Sequence, residues 1–295
     1  MPLPADHLAT LTAILQSGSF EGAARHLGIT QSAVSQRLKA LETRLGAQLV
    51  HRSTPCTATD AGRRLAAHAD QVALLEARLS RDLDGLAPAP QTRLRLAINA
   101  DSLATWLPEA LARLQGHLFD LVIEDQDTAH DLLTRGEVLG AITSRAAPLP
   151  GCDVTALGRL RYIATASPAF LERHFGEGVT ARSLATAPML QFDSRDQLQH
   201  RWIAETIGAT LSPPCHRLPS SEGFATAARL GLGWGMNPEP LVAGDLARGT
   251  LRALIPDTPL DTALFWQSSR LMGTALRPLT RALRRAARAG LLPPD

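Results

Sequence analysis

The sequence predicts two domains of different class: an N-terminal all-α winged helix-turn-helix with a linker helix, and a C-terminal α/β body. Three observations carry this. The 295 residues suit about two domains at the usual ~100–200 residues each. Four helical periods follow one another before Leu86, and a tight glycine turn separates the second from the third. From Leu94 onward the rhythm changes to short apolar strands alternating with helices.

The first helix carries Leu8, Leu11, Ile14 and Leu15 on one face and stops at Ser17-Gly18. The second starts near Ser19, buries Phe20, Ala23, Ala24 and Leu27, and stops at Gly28. Thr30 is a good N-cap for the third, in which Val34, Leu38, Leu41 and Leu45 recur at helical spacing until Gly46. The connection Leu27-Gly28-Ile29-Thr30 joins two short amphipathic helices, which is the mark of a helix-turn-helix. The outer face of the third helix carries Ser32, Gln36, Lys39 and Thr43, with Gln31, Ser35 and Arg37 and the cap Thr30 nearby, and short polar groups and amides of this kind can reach base edges in a major groove. Arg37 and Lys39 are suited to phosphates. The same face also fits an ordinary solvated side of a small helical bundle.

Gln48-Leu49-Val50-His51-Arg52 reads as a strand, Ser53–Cys56 as a turn and Thr57-Ala58-Thr59 as the returning strand. This hairpin is a wing that supplies a second phosphate contact, with Arg52 as its charge. A longer helix runs from Asp60 to about Leu86, with Leu65, Val72, Leu79 and Leu86 seven residues apart and Leu75 beside them. Such a heptad stripe favours pairing with another helix, and the helix ends in the linker Ala87-Pro88-Ala89-Pro90, with little of its own domain to cover.

Beyond the linker, strands are expected at Leu94–Asn99, Asp120–Glu124, Leu139–Thr143, Arg161–Ala166, Met189–Phe192, His216–Pro219, Leu232–Met236 and Leu264–Gln267. Helices are expected between them, among them 102–114, 128–135, 168–175, 196–207, 221–229 and 239–246, with a final one at 274–289. This alternation predicts α/β with mostly parallel sheets. Ligands in such folds bind beyond the carboxyl ends of strands, beside helix N-termini. Asp101 and Ser102, Thr143, Asp193 and Glu222 occupy such places, and Asp125 follows another strand. Ser102, Asp193 and Glu222 are equally at home as helix caps or first-turn residues.

Composition narrows the function class. Hydrophobic residues make up 45% and charged ones 20%, enough for sizeable cores and too little polarity for disorder. The formal net charge of +2 is unevenly spread: residues 1–65 hold seven Lys/Arg and four acids, which leaves the rest near −1. A locally basic domain on a near-neutral body suits a polyanion. Cys56, Cys152 and Cys215 are odd in number and far apart, so they read as isolated thiols of a reducing cytoplasm. The start MPLPADHLATL has neither basic residues nor a cleavage motif, and no apolar stretch approaches the ~20 residues of a membrane span. The expected location is cytoplasmic, with no membrane partner. No Gly-x-Ser-x-Gly, His-Glu-x-x-His or P-loop occurs, the nine histidines lack ligand spacing, and Gly231-Leu232-Gly233-Trp234-Gly235 runs into a strand and not out of one. An enzyme is therefore not expected, nor a metal or cofactor.

Residues 18–52, GSFEGAARHLGITQSAVSQRLKALETRLGAQLVHR, resemble the DNA-binding region of LysR-type transcription regulators, and TATDAG (57–62) resembles the end of their wing. NADSLATW (99–106), EDQD (124–127), RGEVLGAIT (135–143), PLPGC (148–152) and SSEGF (220–224) are similar to the LysG/ArgP branch, which controls export of lysine and arginine. The likeness runs over essentially the whole chain. One departure from the general LysR pattern is Pro55-Cys56, where many relatives carry another arginine.

The resemblance implies a winged helix-turn-helix at 1–59, a dimerising linker helix and hinge at 60–90, and a two-lobed, periplasmic-binding-protein-like effector domain at 91–295. Lobe I would comprise 91–163 and 267–295, and lobe II 164–266, with crossings near Ala164 and Gln267. The implied partners are a dyad operator in double-stranded DNA, a basic amino acid, a second copy as dimer or dimer of dimers, and RNA polymerase, whose access to an exporter gene would change with the effector. The alternative is an architectural DNA-binding protein or inhibitor of replication initiation without a working effector site. A footprint that changes with ligand separates the two.

Overall fold

The computed structural model describes residues 3–82, 92–123 and 126–294. Helices α1 (Ala5–Ser17), α2 (Phe20–Leu27) and α3 (Gln31–Leu45) form the N-terminal core around Leu11, Ile14, Ala23, Val34, Leu38 and Leu41. Their ends follow the side chains. Ser19 Oγ accepts from the Gly22 amide and Thr30 Oγ1 from the Ala33 amide, so each satisfies a free donor of the first turn. Gly28 takes φ 65°, the left-handed conformation that lets α2 stop within one residue and α3 start soon after. Leu45, expected in the apolar stripe, is 43% exposed, because it falls in the last turn beside the Gly46 cap.

The wing is β1 (Val50–His51) paired antiparallel with β2 (Thr57–Ala58), shorter than the predicted five-residue strand. It is anchored at both sides. The Leu49 amide donates to Glu42 Oε1 of α3 (2.9 Å), and the Cys56 amide donates to the Gly18 carbonyl (2.8 Å). Helix α4 (Asp60–Asp82) then starts from Thr59. The Thr59 hydroxyl accepts from the Gly62 amide (3.0 Å) and donates to the Gln48 carbonyl (2.7 Å), so it caps the helix and closes the wing at once. A Cβ on Gly62 would lie 1.9 Å from the Leu49 carbonyl oxygen.

The C-terminal body runs β3 (Thr92–Ile98), α5 (Ala100–Ala104), α6 (Leu107–Ala112), β4 (His117–Ile123), α7 (Gln126–Thr134), β5 (Gly140–Thr143) and the long β6 (Cys152–Ala166). It continues through α8 (Pro168–Phe175), α9 (Ala181–Thr186), β7 (Met189–Gln191), α10 (Leu198–Ile207), β8 (Cys215–Arg217), α11 (Ser221–Arg229), β9 (Gly235–Pro238), α12 (Glu239–Arg248), β10 (Arg252–Ala253), the long β11 (Leu260–Ser269) and α13 (Arg277–Gly290). The predicted helix over 102–114 is split into α5 and α6, because the chain turns at Thr105 to bury Trp106.

The main sheet is mixed, not mostly parallel. Strand β3 is parallel to β4 and β5, but β6 and β11 run antiparallel to each other and to β5, β9 and β10. The reason is that β6 and β11 are connectors. The β11 segment Phe265–Ser268 pairs with β5 in lobe I, whereas Tyr162–Ala166 of β6 pairs with β9 and β10 in lobe II. Between them the register shifts at Leu264/Phe265, opposite Gly158 and Ala156. Ala164 and Gln267, where the sequence places the crossings, pair with Met236 of β9 and Ala141 of β5, each already within a lobe.

Helix α4 does cover part of its own chain, contrary to expectation. Leu74 is fully buried in the core shared with Leu94 and Leu96 of β3, and Ala77 is 2% exposed. Gln71 Nε2 donates to the Gly136 carbonyl (3.3 Å), and Arg63 lies 3.7 Å from the buried Glu137 carboxylate. Leu65 packs on the N-terminal core and Val72 is half-buried, while Leu75 and Leu79 stay outside at 46% and 59% exposure. Leu86 and the Ala87–Pro90 linker lie outside the described residues.

The close approach at Gly62 has a measurable consequence. In an open helix, Gly→Ala stabilises by about 1 kcal/mol, but overpacking costs about 1–3 kcal/mol, and here the methyl meets a backbone carbonyl that is itself bonded to the Thr59 amide. Gly62→Ala should therefore lower the thermal midpoint of the N-terminal domain; a midpoint at or above the wild-type value contradicts the packing.

Candidate functional site

A cavity of about 230 Å³ lies between the lobes. Asn99 and Asp101 line it from lobe I, and Phe192, Asp193, Ser221 and Asn237 from lobe II. A second pocket shares Asn99, Arg195, Asp196 and Leu198 with it and reaches Thr143 and Tyr162. The cavity walls mix apolar surface from Ile123, Phe224 and Met236 with three aspartates, Asp101, Asp193 and Asp196, against one arginine, Arg195.

Asp101 holds the centre. It stands in the first turn of α5, at the carboxyl end of β3. Its Oδ2 accepts from the Tyr162 hydroxyl (2.7 Å) and its Oδ1 from Ser221 Oγ (2.6 Å). Tyr162 belongs to the connector strand β6 and Ser221 opens α11 of lobe II. One carboxyl group thus ties lobe I, a connector and lobe II. Burial pushes the Asp101 pKa up, and the two hydrogen bonds, which favour the ionised form, offset this only in part. Burial and then the neighbouring Asp101 charge push the Tyr162 phenol well above its usual range, so it stays a donor.

The lobe II side is organised by two short turns. Asp193 Oδ1 accepts from the Arg195 and Asp196 amides (2.7 and 3.1 Å), and its Oδ2 from Arg195 Nη2 (3.1 Å). Asp196 accepts from the Phe192 and Leu198 amides (2.9 and 3.0 Å). Asn237 of β9, a lining residue, is fully buried; its amide nitrogen donates to Thr165 Oγ1 (2.9 Å), and its buried Oδ1 has no hydrogen-bond partner among the described residues.

Of the residues expected from sequence, Asp101 and Asp193 meet across this cavity, and Thr143 lies in the adjoining pocket, its hydroxyl accepting from the Arg145 amide (3.3 Å). Ser102 does not reach it. The helix cap is Asn99, whose Oδ1 accepts from the Ser102 amide (2.7 Å), and Ser102 Oγ accepts from Trp106 Nε1 (3.1 Å) within lobe I. Glu222 is exposed on α11 and lines neither pocket; its neighbour Ser221 faces inward instead. Asp125 lies outside the described residues. Asn99, Tyr162, Asp196, Ser221 and Asn237 were not foreseen. Tyr162 is the single tyrosine of the chain, and Asn99 and Ser221 fall within the stretches 99–106 and 220–224 that resemble the LysG/ArgP branch.

On the N-terminal domain, Gln31, Ser32, Gln36 and Lys39 of α3 are exposed on its outer side and Ser35 is half-buried. Thr30 is occupied as the cap and exchanges a hydrogen bond with Ser32 Oγ (3.0 Å). Arg37 is half-buried, and its Nη2 lies 3.3 Å from Asp6 Oδ2, an ion pair that links α3 to α1. Arg52 stacks over the Phe20 ring with 5.2 Å to its centroid, which holds the wing's charge beside the start of α2.

Burial opposes ionisation of Asp193, but hydrogen bonds from Arg195 and Asp196 outweigh it and hold the carboxyl below its usual range. The order this turn lends to the cavity is therefore present above the ordinary carboxylate pKa and lost as pH falls through the lowered one. Protection of the Arg195 and Asp196 amides against hydrogen exchange should fall on acidification, and Asp193→Ala should remove it at neutral pH, by about 1–3 kcal/mol of local stability. Unchanged protection in the variant contradicts this role.

Residues 5–63 match the bacterial regulatory helix-turn-helix protein of the lysR family, and residues 87–288 match the LysR substrate binding domain. The chain is 44% identical over 297 aligned positions to the HTH-type transcriptional regulator ArgP of Pseudomonas fluorescens, covering 98% of each. The crystal structure of ArgP from Mycobacterium tuberculosis superposes with a TM-score of 0.79 at 41% identity over 100% of both chains. Full-length LysG from Corynebacterium glutamicum with bound effector Arg gives 0.67 at 40% identity, covering 99% of this chain and 100% of that one. Among the described residues no helix is long and apolar enough to cross a membrane. The two matched domains, in this order and over nearly the whole length, make the chain a member of the LysR family of DNA-binding transcription regulators, which are not enzymes.

Proposed function

We propose that this regulator takes a basic amino acid, arginine or lysine, into the cleft between its lobes, and that Asp101 transmits the ligand's charge to both lobes. The observation that carries the reading is the pair of hydrogen bonds to Asp101 from Tyr162 and Ser221. An incoming ammonium or guanidinium is the group that best compensates a buried carboxylate. It would replace one of these bonds and so alter the contact between lobes. Asp193 and Asp196 add negative charge, and the apolar wall suits an aliphatic stem. The arginine bound to the Corynebacterium LysG supports the same ligand class.

DNA reading is assigned to Thr30, Gln31, Ser32, Ser35 and Gln36 for bases and to Lys39 and Arg52 for phosphates. Arg37 acts through the ion pair with Asp6. The exposed Leu75 and Leu79 of α4 are the contact for a second copy, which sets two recognition helices against half-sites of a dyad operator. The lobe arrangement then biases the operator complex and the access of RNA polymerase to an exporter gene.

Calorimetric titration of the full-length protein with the twenty amino acids tests the effector. Arginine or lysine should bind and neutral amino acids should not. Asp101→Asn should weaken binding by at least about 30-fold, since removing one partner of a buried charge pair costs about 2–5 kcal/mol. Affinity should drop as the solution is acidified through the raised Asp101 pKa, because the neutral carboxyl no longer attracts a cation. Binding of neutral amino acids in preference, or full affinity in Asp101→Asn, contradicts the reading.

DNA reading is tested separately. Gln36→Ala should change base preference in a selected-site experiment. Arg52→Ala should weaken all duplexes alike and flatten the salt dependence by about one phosphate contact. An unchanged salt slope removes Arg52 from the interface.

A further inference from the structure

Helix α13 carries Arg277, Arg281, Arg284, Arg285 and Arg288 and no acidic residue. Their spacing places all five on one side of the helix. All five are exposed, and none of their side chains makes a hydrogen bond or ion pair with a described residue. The opposite face is fixed, with Leu279, Leu283, Ala286 and Ala287 in the main core, and at the groove edge Thr280 Oγ1 accepts from Trp266 Nε1 (3.0 Å). The arginines line a groove of about 520 Å³, with Thr155 and Ser268 on its other wall. The acid of that groove, Asp153, is already paired with Arg270 (3.0 Å).

Five like charges held side by side without counter-charge repel one another, so the surface is stabilised by an external polyanion. Every cation is arginine, whose planar fork matches phosphate oxygens in pairs. The groove lining contains no aromatic ring on which a base could stack, so the chemistry recognises phosphates and not a nucleobase. The stretch from Arg277 to Arg288 spans about 17 Å at about 1.5 Å per residue, the length of about five base pairs of duplex at about 3.4 Å each.

We infer that the arginine face of α13 is a second, sequence-independent DNA surface that holds the phosphate backbone of duplex outside the half-sites read by α3. This goes beyond the effector reading and needs only that the chain binds duplex DNA. A flank bent against the effector domain would be gripped by it, and the grip would move with the lobe that carries α13.

Binding of the full-length protein is measured against salt on two duplexes, one trimmed to the operator footprint and one extended by about two helical turns on each side. The wild type should show the steeper dependence on the extended duplex, by about 0.9 in log–log slope per added phosphate contact. Replacing Arg281, Arg284, Arg285 and Arg288 with Gln should abolish that difference and leave affinity for the trimmed duplex unchanged, and Lys at the same positions should restore it. Equal wild-type slopes on the two duplexes, or a Gln variant that keeps the difference, overturn the inference. So does a Gln variant with wild-type DNA binding that has lost crosslinking to RNA polymerase, which would make an acidic protein surface the partner. No wild-type binding to the trimmed duplex would instead overturn DNA reading by the N-terminal domain itself.

Discussion

A carboxyl group taken out of water must find compensation, and Asp101 finds it in two pieces of the chain that could otherwise move apart. Its donors sit 61 and 120 residues away, on a connector strand and on the opposite lobe. Neither donor is a cation. The two bonds compensate the carboxylate only in part, as its raised pKa indicates. On the proposed reading, that deficit is what would give a cationic ligand leverage. A neutral ligand has no comparable differential interaction with the two arrangements, and a ligand can shift an equilibrium only by such a difference.

The connectors and the linker helix give this leverage somewhere to act. Strands β6 and β11 pass between lobes at a register shift, the place where a relative rotation of the lobes would be taken up with least loss of pairing. Lobe I also bears on the DNA-binding half. Leu74 of α4 is buried with β3, and Gln71 and Arg63 reach Gly136 and Glu137. The wing is locked to the same helix through Thr59 and Gly62. Packed side chains within one chain thus connect the cleft-bearing lobe I to the helix that carries the DNA-binding domain.

The N-terminal domain was legible almost residue by residue because its signals are local. Caps Ser19 and Thr30 and stops Gly18, Gly28 and Gly46 act within a few residues of themselves. The ion pair of Arg37 was hidden for the opposite reason: its partner Asp6 belongs to another helix, and only tertiary packing brings them together. The cleft was half legible. Strand ends pointed to Asp101 and Asp193, but the choice between Ser221 and Glu222 depends on which face of α11 turns inward, and Asn99 took the capping role expected of Ser102. The antiparallel course of β6 and β11 could not be read from alternation of strands and helices, since alternation carries no strand direction.

The most direct test of the coupling is a crystal structure of the full-length protein with arginine bound. A cationic nitrogen of the ligand within about 3 Å of an Asp101 oxygen, with the bond from Ser221 or from Tyr162 exchanged for it, is the result expected. Arginine seated in the cleft while Asp101 keeps both of its present donors and touches no ligand atom would contradict it.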